Sequence, residues 1–274
     1  MSLLLLIGFA ASSIAVLWIA QALLFLRLGE PLGGSLRLRK APPAVRWPMK
    51  IVLQGVLMGM LFGYPFALGE NPLRYHEARL LPARPDQLLE LLLVTPAIFL
   101  SGIVLEVAAG WVRVIRRYGP WKTLRKVGQS FLTPLPLAFV EEGIFRGIVL
   151  DQMLRALPAG RAGTTLAIAA SAAVFSGIHF IRRARTYWPA LGLFVFGCLA
   201  GGAYLAGGQT YWLPVGLHAG GILATQLHRP FVEYNGPMWI IGTRDYPLSG
   251  AIGIAGMLLL GAYVAARFSA VVAP

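Results

Sequence analysis

Charge is the first thing this sequence lacks. Only 13% of its 274 residues are charged and 57% are hydrophobic, whereas an ordinary soluble domain is about 25% charged. The mean hydropathy is +0.68. So little charge cannot cover the surface of a water-soluble protein, and the composition also excludes a disordered chain, a collagen-like fibre and a coiled coil. The composition therefore indicates a polytopic membrane protein.

Cysteine and acidic residues are scarce as well. A single Cys excludes a disulfide framework and a metal site built from cysteines. The 24 Lys and Arg outnumber the 11 Asp and Glu, which gives a net charge of +13. Most of the basic residues lie in short segments between apolar runs, where they mark cytoplasmic loops and attract anionic lipid headgroups. We therefore expect the chain to contact the lipid bilayer and not nucleic acid.

The apolar runs predict an all-α membrane bundle of about eight transmembrane helices. Each span needs about 20 mostly apolar residues to cross the hydrocarbon core. The predicted spans lie near 3–26, 49–69, 87–112, 130–154, 163–181, 188–207, 210–227 and 249–266. No soluble-domain-sized connection interrupts them. We interpret 1–274 as a single integral-membrane domain.

The distribution of Lys and Arg among the connections predicts the orientation. Every second connection is richer in basic residues, and such connections stay in the cytoplasm. This places 27–48, 113–129, 182–187 and 228–248 in the cytoplasm and both termini outside. We expect a multi-pass protein, in the cell (inner) membrane if the source is bacterial.

The fourth predicted span carries three ionisable residues, Glu141, Glu142 and Arg146. Each costs about 2.5–3.5 kcal/mol at the centre of a span unless it is paired or faces a polar cavity. On a helix Glu142 and Arg146 lie on neighbouring turns of one face, whereas Glu141 and Arg146 lie about 140° apart. We expect Glu142 to pair with Arg146, which leaves Glu141 to face another helix or a cavity. The alternative is a buried charge cluster that only fixes helix packing.

Two histidines in later spans supply the other polar groups. His179 follows Phe175 by four residues near the end of the fifth span, and His218 lies midway through the seventh among small residues. Glu141, His179 and His218 form a plausible set for hydrolysis: a base for water, a group that holds that water and a donor to an oxyanion. Two His and one Glu could also bind zinc, although the H-E-x-x-H spacing is absent.

These motifs, in this order, resemble those of the CAAX-protease and bacteriocin-processing (CPBP) family of intramembrane proteases, which includes the type II CAAX prenyl endopeptidase. The resemblance covers about 130–228, which it implies is the core catalytic region. It also implies an eight-helix bundle that encloses a conical, polar intramembrane cavity, and a glutamate-type peptidase without a cofactor. By resemblance Glu141 is the general base, His179 its partner on the water and His218 the oxyanion donor. Glu142, Arg146 and Phe175 are supporting residues.

The sequence departs from the family pattern at one position. The family's last motif often continues H-x-x-x-N, but the fourth residue after His218 is Ile222. A second oxyanion donor is therefore missing there, which argues against a close orthologue of the prenyl endopeptidase. We expect an intramembrane endopeptidase that acts on a membrane-anchored protein or peptide. The rival from another class is a non-catalytic immunity or partner-binding protein that keeps the same charges for structure.

Further expectations concern residues outside this set. Glu106, in the third span, should reach toward Arg113 at the basic end of the helix. Thr225 and Gln226 should pack between helices. Gly55, Gly59 and Gly63 should form one flat helix face, and Gly197 and Gly201 another. His76 and His228 fall in predicted connections and receive no role.

Overall fold

The computed structural model describes residues 2–29, 43–81, 83–183, 187–244 and 246–268. These residues form an all-α polytopic bundle with one short pair of strands, which confirms the predicted fold class. The helices are α1 Ser2–Arg27, α2 Pro43–Ala67, α3 Pro72–Leu80, α4 Pro85–Ala108, α5 Pro120–Leu132, α6 Pro134–Ile144, α7 Asp151–Ala156, α8 Arg161–Arg183, α9 Tyr187–Ala206, α10 Trp212–His228, α11 Met238–Ile241 and α12 Ala251–Phe268. A π-helix, Phe145–Leu150, joins α6 to α7.

Proline sets the start of four of these helices. Pro72, Pro85, Pro120 and Pro134 occupy the first turns of α3, α4, α5 and α6, where the missing N–H costs nothing. The short helix α3 is also capped, because the Asn71 side chain accepts hydrogen bonds from the N–H groups of the second and third helical residues. The sequence therefore folds the predicted connection between the second and third spans into an ordered helix.

Six helices of the described residues are long and apolar enough to cross a membrane: Leu4–Arg27, Pro48–Ala67, Pro85–Ala108, Arg161–His179, Trp188–Ala206 and Ala251–Phe268. The predicted count of eight is therefore not confirmed. The predicted span 130–154 is divided among α5, α6, the π-helix and α7, and it carries charges that lower its hydropathy. The predicted span 210–227 corresponds to α10, which has only 17 residues.

Helix α10 is almost completely buried along its first half. Gly220 allows α10 to pack closely on α4, because a Cβ at this position would lie only 2.7 Å from Thr95 Cβ. Helices α8 and α9 approach in the same way, since a Cβ at Gly197 would lie 2.8 Å from Ala172 Cα. The predicted packing of the second glycine pair is confirmed. The prediction for α2 is wrong at Gly55 and Gly59, where a Cβ would meet nothing within 4 Å among the described residues.

The predicted connection 113–129 contains ordered structure. Strand β1, Val112–Val114, pairs antiparallel with strand β2, Val232–Tyr234, and the amphipathic helix α5 follows β1. Glu106, just before β1, is 1% exposed, and among the described residues no ion pair joins it to Arg113. The expected reach toward Arg113 is therefore wrong, because the side chain turns into the protein. Most of 27–48 and part of 182–187 lie outside the described residues.

Candidate active site

Helix α6 and the π-helix hold the first charge pair inside the protein. Glu142 is fully buried and Arg146 is 1% exposed. Arg146 Nη1 lies 3.0 Å from Glu142 Oε2, and Nη2 donates to the Gly197 carbonyl at 3.2 Å. The pairing expected from helical spacing is present. Buried charges of this kind persist only when they are paired and hydrogen-bonded, so this pair fixes the local structure.

Glu142 has a second partner that the sequence does not reveal. His218 Nδ1 lies 2.6 Å from Glu142 Oε1. Because an ionised carboxylate only accepts hydrogen bonds, this contact assigns a proton to Nδ1 of His218. The other ring nitrogen, Nε2, then faces Glu141, with 3.6 Å between Nε2 and Oε2. Glu142 therefore determines the tautomer and the orientation of His218.

Glu141 lies between two imidazoles. Its side chain is 14% exposed, and its Oε2 lies 3.8 Å from His179 Nε2. His179 Nδ1 donates to the Phe175 carbonyl at 2.9 Å, one turn earlier on α8. Both histidines thus direct Nε2 toward the same carboxylate oxygen at distances beyond a hydrogen bond. The structure brings together Glu141, His179 and His218 from three helices.

Phe175 lies beneath this group and is 1% exposed. Its ring centroid is 4.5 Å from that of His179, and the Arg146 guanidinium lies 5.2 Å above the ring. Phe196 on α9, which the sequence does not single out, lies 5.1 Å from the His218 ring. These aromatic rings surround the imidazoles with apolar surface and fix their orientation.

Glu141, His179 and His218 line a cavity of about 1310 Å³. Its walls combine apolar side chains with the basic residues Lys50, Lys126 and Arg229. Ile222, Thr225 and Gln226 also line it. Gln226 accepts a hydrogen bond from Thr133 Oγ1 at 2.9 Å, which is consistent with the predicted packing between helices. Helical spacing along α10 could have indicated their place on the His218 side.

The zinc alternative concerns the same three residues. Within the part of the chain that the structure describes, no group of three or more His, Cys, Asp or Glu is arranged to hold a metal ion. The two Nδ1 atoms bond to a carboxylate and to a backbone carbonyl, which is also how metal-binding histidines are oriented. The expectation of no cofactor therefore stays a prediction.

Comparison with known proteins adds one match. Residues 123–221 match the family model described as type II CAAX prenyl endopeptidase Rce1-like. No curated protein and no solved structure matches the chain. The matched region runs from α5 into α10 and includes Glu141, Glu142, Arg146, His179 and His218. The match supports a protease of the CAAX type, and the long apolar helices support a multi-pass membrane location.

Proposed function

We propose that this protein is an intramembrane endopeptidase that hydrolyses a peptide bond of a membrane-anchored protein or peptide, with Glu141 as the general base. One observation carries the proposal. The Glu141 carboxylate faces the Nε2 atoms of His179 and His218 on the wall of the cavity, whereas Glu142 beside it is bonded to Arg146 and His218. The two adjacent carboxylates therefore have different roles.

The proposed reaction begins with a water molecule within hydrogen-bond reach of Glu141 and His179. His179 donates through Nδ1 to Phe175, so in the neutral ring Nε2 accepts from that water. Glu141 removes a proton while the water oxygen attacks the scissile carbonyl. The tetrahedral intermediate then collapses, the C–N bond breaks, and the leaving amine takes the proton from Glu141. No covalent bond to the enzyme forms.

His218 stabilises the oxyanion in this scheme, and the structure adds a condition on its charge. Nδ1 already donates to Glu142, so Nε2 can donate to the oxyanion only when the ring is doubly protonated. Ile222 supplies no second donor.

The cavity supports a membrane-anchored substrate. Apolar walls accept an apolar or lipid-modified segment, while Lys50 and Lys126 place positive charge on the same lining. A peptide with a C-terminal prenylated cysteine, a bacteriocin leader and a C-terminal sorting anchor are the three classes to assay. The missing donor at Ile222 distinguishes the chain from the family pattern, so prenylated peptides should be compared with unmodified ones of the same sequence.

The test uses purified protein in proteoliposomes with peptides from these three classes. Wild type should release product, and Glu141→Gln should release none above background. Glu106→Gln is the matched control, because Glu106 is also a buried carboxylate in a membrane helix but does not line the cavity, and it should retain activity. Equal processing by wild type and Glu141→Gln would contradict the proposal. Absence of processing by wild type on all three peptide classes would instead favour the non-catalytic immunity or partner-binding alternative.

A further inference from the structure

A second polar cluster lies beside the π-helix and does not line the cavity. We call it the α3 cluster, and its members are buried side chains from α3, α7, α9 and the turn before α10: Tyr75, His76, Arg79, Asp151, Tyr204 and Tyr211. The salt bridge between Arg79 Nη2 and Asp151 Oδ1 is 2.8 Å long. Nothing in the proposed chemistry uses these residues, so their concentration beside the π-helix requires a separate explanation.

One member of the cluster bonds directly to the π-helix backbone. The Tyr75 hydroxyl donates to the Gly147 carbonyl at 2.7 Å. In a regular α-helix this carbonyl would accept from the N–H of Asp151, but the Asp151 N–H donates to the Ile148 carbonyl instead. The π-helix changes the normal backbone hydrogen-bond pattern, and the Tyr75 hydroxyl gives this buried carbonyl a donor from another helix.

The approach of the cluster to this point requires a glycine. A Cβ at Gly147 would lie 2.0 Å from the Tyr211 hydroxyl oxygen. The Tyr211 hydroxyl in turn lies 2.8 Å from His76 Nδ1. The cluster therefore contacts the backbone of the residue that follows Arg146 directly.

The cluster also holds the Tyr75 hydroxyl in place. Arg79 Nη1 donates to the Tyr75 carbonyl at 2.6 Å, and Asp151 Oδ2 lies 3.1 Å from the hydroxyl. Burial, followed by the negative charge of Asp151, raises the pKa of Tyr75, which therefore stays protonated and able to donate. On the other side of Arg146, Ser171 Oγ donates to the Phe145 carbonyl at 3.2 Å. The carbonyls on both sides of Arg146 are thus bonded to side chains of neighbouring helices.

We propose that Tyr75 is a positioning residue: its hydroxyl, bonded to Gly147, fixes the register of the π-helix so that Arg146 stays on Glu142 and Glu142 stays on His218. This inference rests on the proposed function, because His218 acts on the oxyanion there. The chain of contacts is continuous from Tyr75 to Gly147, Arg146, Glu142 and His218. A displacement of about 1 Å in a catalytic group can cost about 100-fold in rate.

The test compares two tyrosine variants from the same cluster. Tyr75→Phe removes only the hydroxyl and should lower kcat about tenfold or more, with KM within about twofold, since substrate contacts are unchanged. Tyr204→Phe is the control. It removes a hydroxyl that accepts from Arg79 Nε at 3.1 Å but makes no hydrogen bond to the π-helix among the described residues, and kcat should stay at the wild-type value.

A second measurement does not depend on turnover. In protein labelled with ¹⁵N-histidine, which has four His signals to assign, Tyr75→Phe should shift the Nδ1 signal of His218 and Tyr204→Phe should not. If wild type and Glu141→Gln process substrate equally, the proposed function fails, but this measurement still tests positioning.

Equal kcat and equal His218 signals in the two tyrosine variants would overturn the inference. A Tyr75→Phe protein that loses folded yield while each folded molecule keeps wild-type kcat would also overturn it, because the role would then be stability alone. So would a variant that does not fold.

Discussion

Two polar clusters flank the π-helix, and their hydrogen bonding differs. In the α3 cluster, His76 lies 2.7 Å from the Leu61 carbonyl through Nε2 and 2.8 Å from the Tyr211 hydroxyl through Nδ1. Asp151 bonds to Arg79 and Arg155. In the active-site cluster, the Nε2 atoms of His179 and His218 lie 3.8 and 3.6 Å from Glu141, beyond hydrogen-bond length, and all three residues line the cavity. The number of buried polar groups therefore does not distinguish an active site from a structural cluster. The distinguishing feature is that the side chains converge on a cavity at distances beyond a hydrogen bond.

The largest effect expected from this contrast is on turnover in Glu141→Gln. Loss of a general base should lower kcat by about 10²- to 10⁴-fold. The melting temperature in detergent should change little, because the amide keeps the shape of the side chain and, among the described residues, Glu141 forms no salt bridge with Lys or Arg. Kinetics and thermal melting of the same preparation check both halves. A variant that melts well below wild type would show instead that the Glu141 carboxylate stabilises the fold.

The adjacent residue should behave in the opposite way. Glu142→Gln leaves Arg146 without its charge partner and His218 with a neutral amide in place of its carboxylate, and loss of one partner of a buried pair costs about 3–5 kcal/mol. Folded yield and melting temperature should fall together with activity. The double variant Glu142→Gln with Arg146→Met removes both charges and should recover much of the yield but not the activity, because His218 still lacks its carboxylate.

A stable but inactive Glu142→Gln, together with a poorly folding Glu141→Gln, would reverse these roles. The base would then be Glu142, and His218 would act with it as a proton-accepting pair. Comparing the two variants under identical expression and purification makes this outcome distinguishable from a general loss of stability.

The sequence predicts the membrane bundle and the Glu142–Arg146 pair because both depend on local spacing. Apolar length determines most spans, and two charges four residues apart share a helix face. The contact between Glu142 and His218 is not predictable in this way, since the residues are 76 positions apart and on different helices. Ionisable residues within apolar runs still single out Glu141, His179 and His218 as a group, although no pattern gives their distances.

The α3 cluster shows the opposite limit. His76 lies in a predicted connection, where a histidine in nine helical residues between two spans carries no signal. The π-helix also leaves no pattern in Phe145–Leu150 that distinguishes it from an α-helix. The count of spans fails for a related reason: α10 is short and buried against other helices, so it does not need the length of a lipid-facing span.

A smaller effect is expected from acid on the α3 cluster. Burial lowers the pKa of His76 below its ordinary 6.5, so the unfolded chain binds a proton more readily than the folded one. Stability should therefore be complete above about pH 6.5 and should fall as the pH decreases toward the lowered pKa. The melting temperature of wild type should decrease by a few degrees between pH 7 and pH 5.

The matched variant for this prediction is His76→Asn, which removes the titrating group. It should melt lower than wild type at pH 7, because hydrogen bonds are lost, but its melting temperature should depend less on pH in the same range. An unchanged slope would show that another group controls the acid response.

The smallest expected effect is that of metal removal, and it sharpens the contrast between the two clusters. Glu141, His179 and His218 are the residue types of a zinc site. The hydrogen bonds of the two His Nδ1 atoms are also typical of histidines that bind zinc. Family resemblance and the absence of H-E-x-x-H spacing predict instead that Glu141 activates water directly. Extended dialysis against a chelator should therefore leave kcat unchanged, with metal content measured on the same sample.

Stoichiometric zinc in active protein, together with activity that is lost on chelation and restored by zinc alone, would replace the glutamate base with a metal-bound water. In that case His179→Gln should abolish zinc binding, whereas a water-positioning His179 predicts lower kcat and no change in metal content.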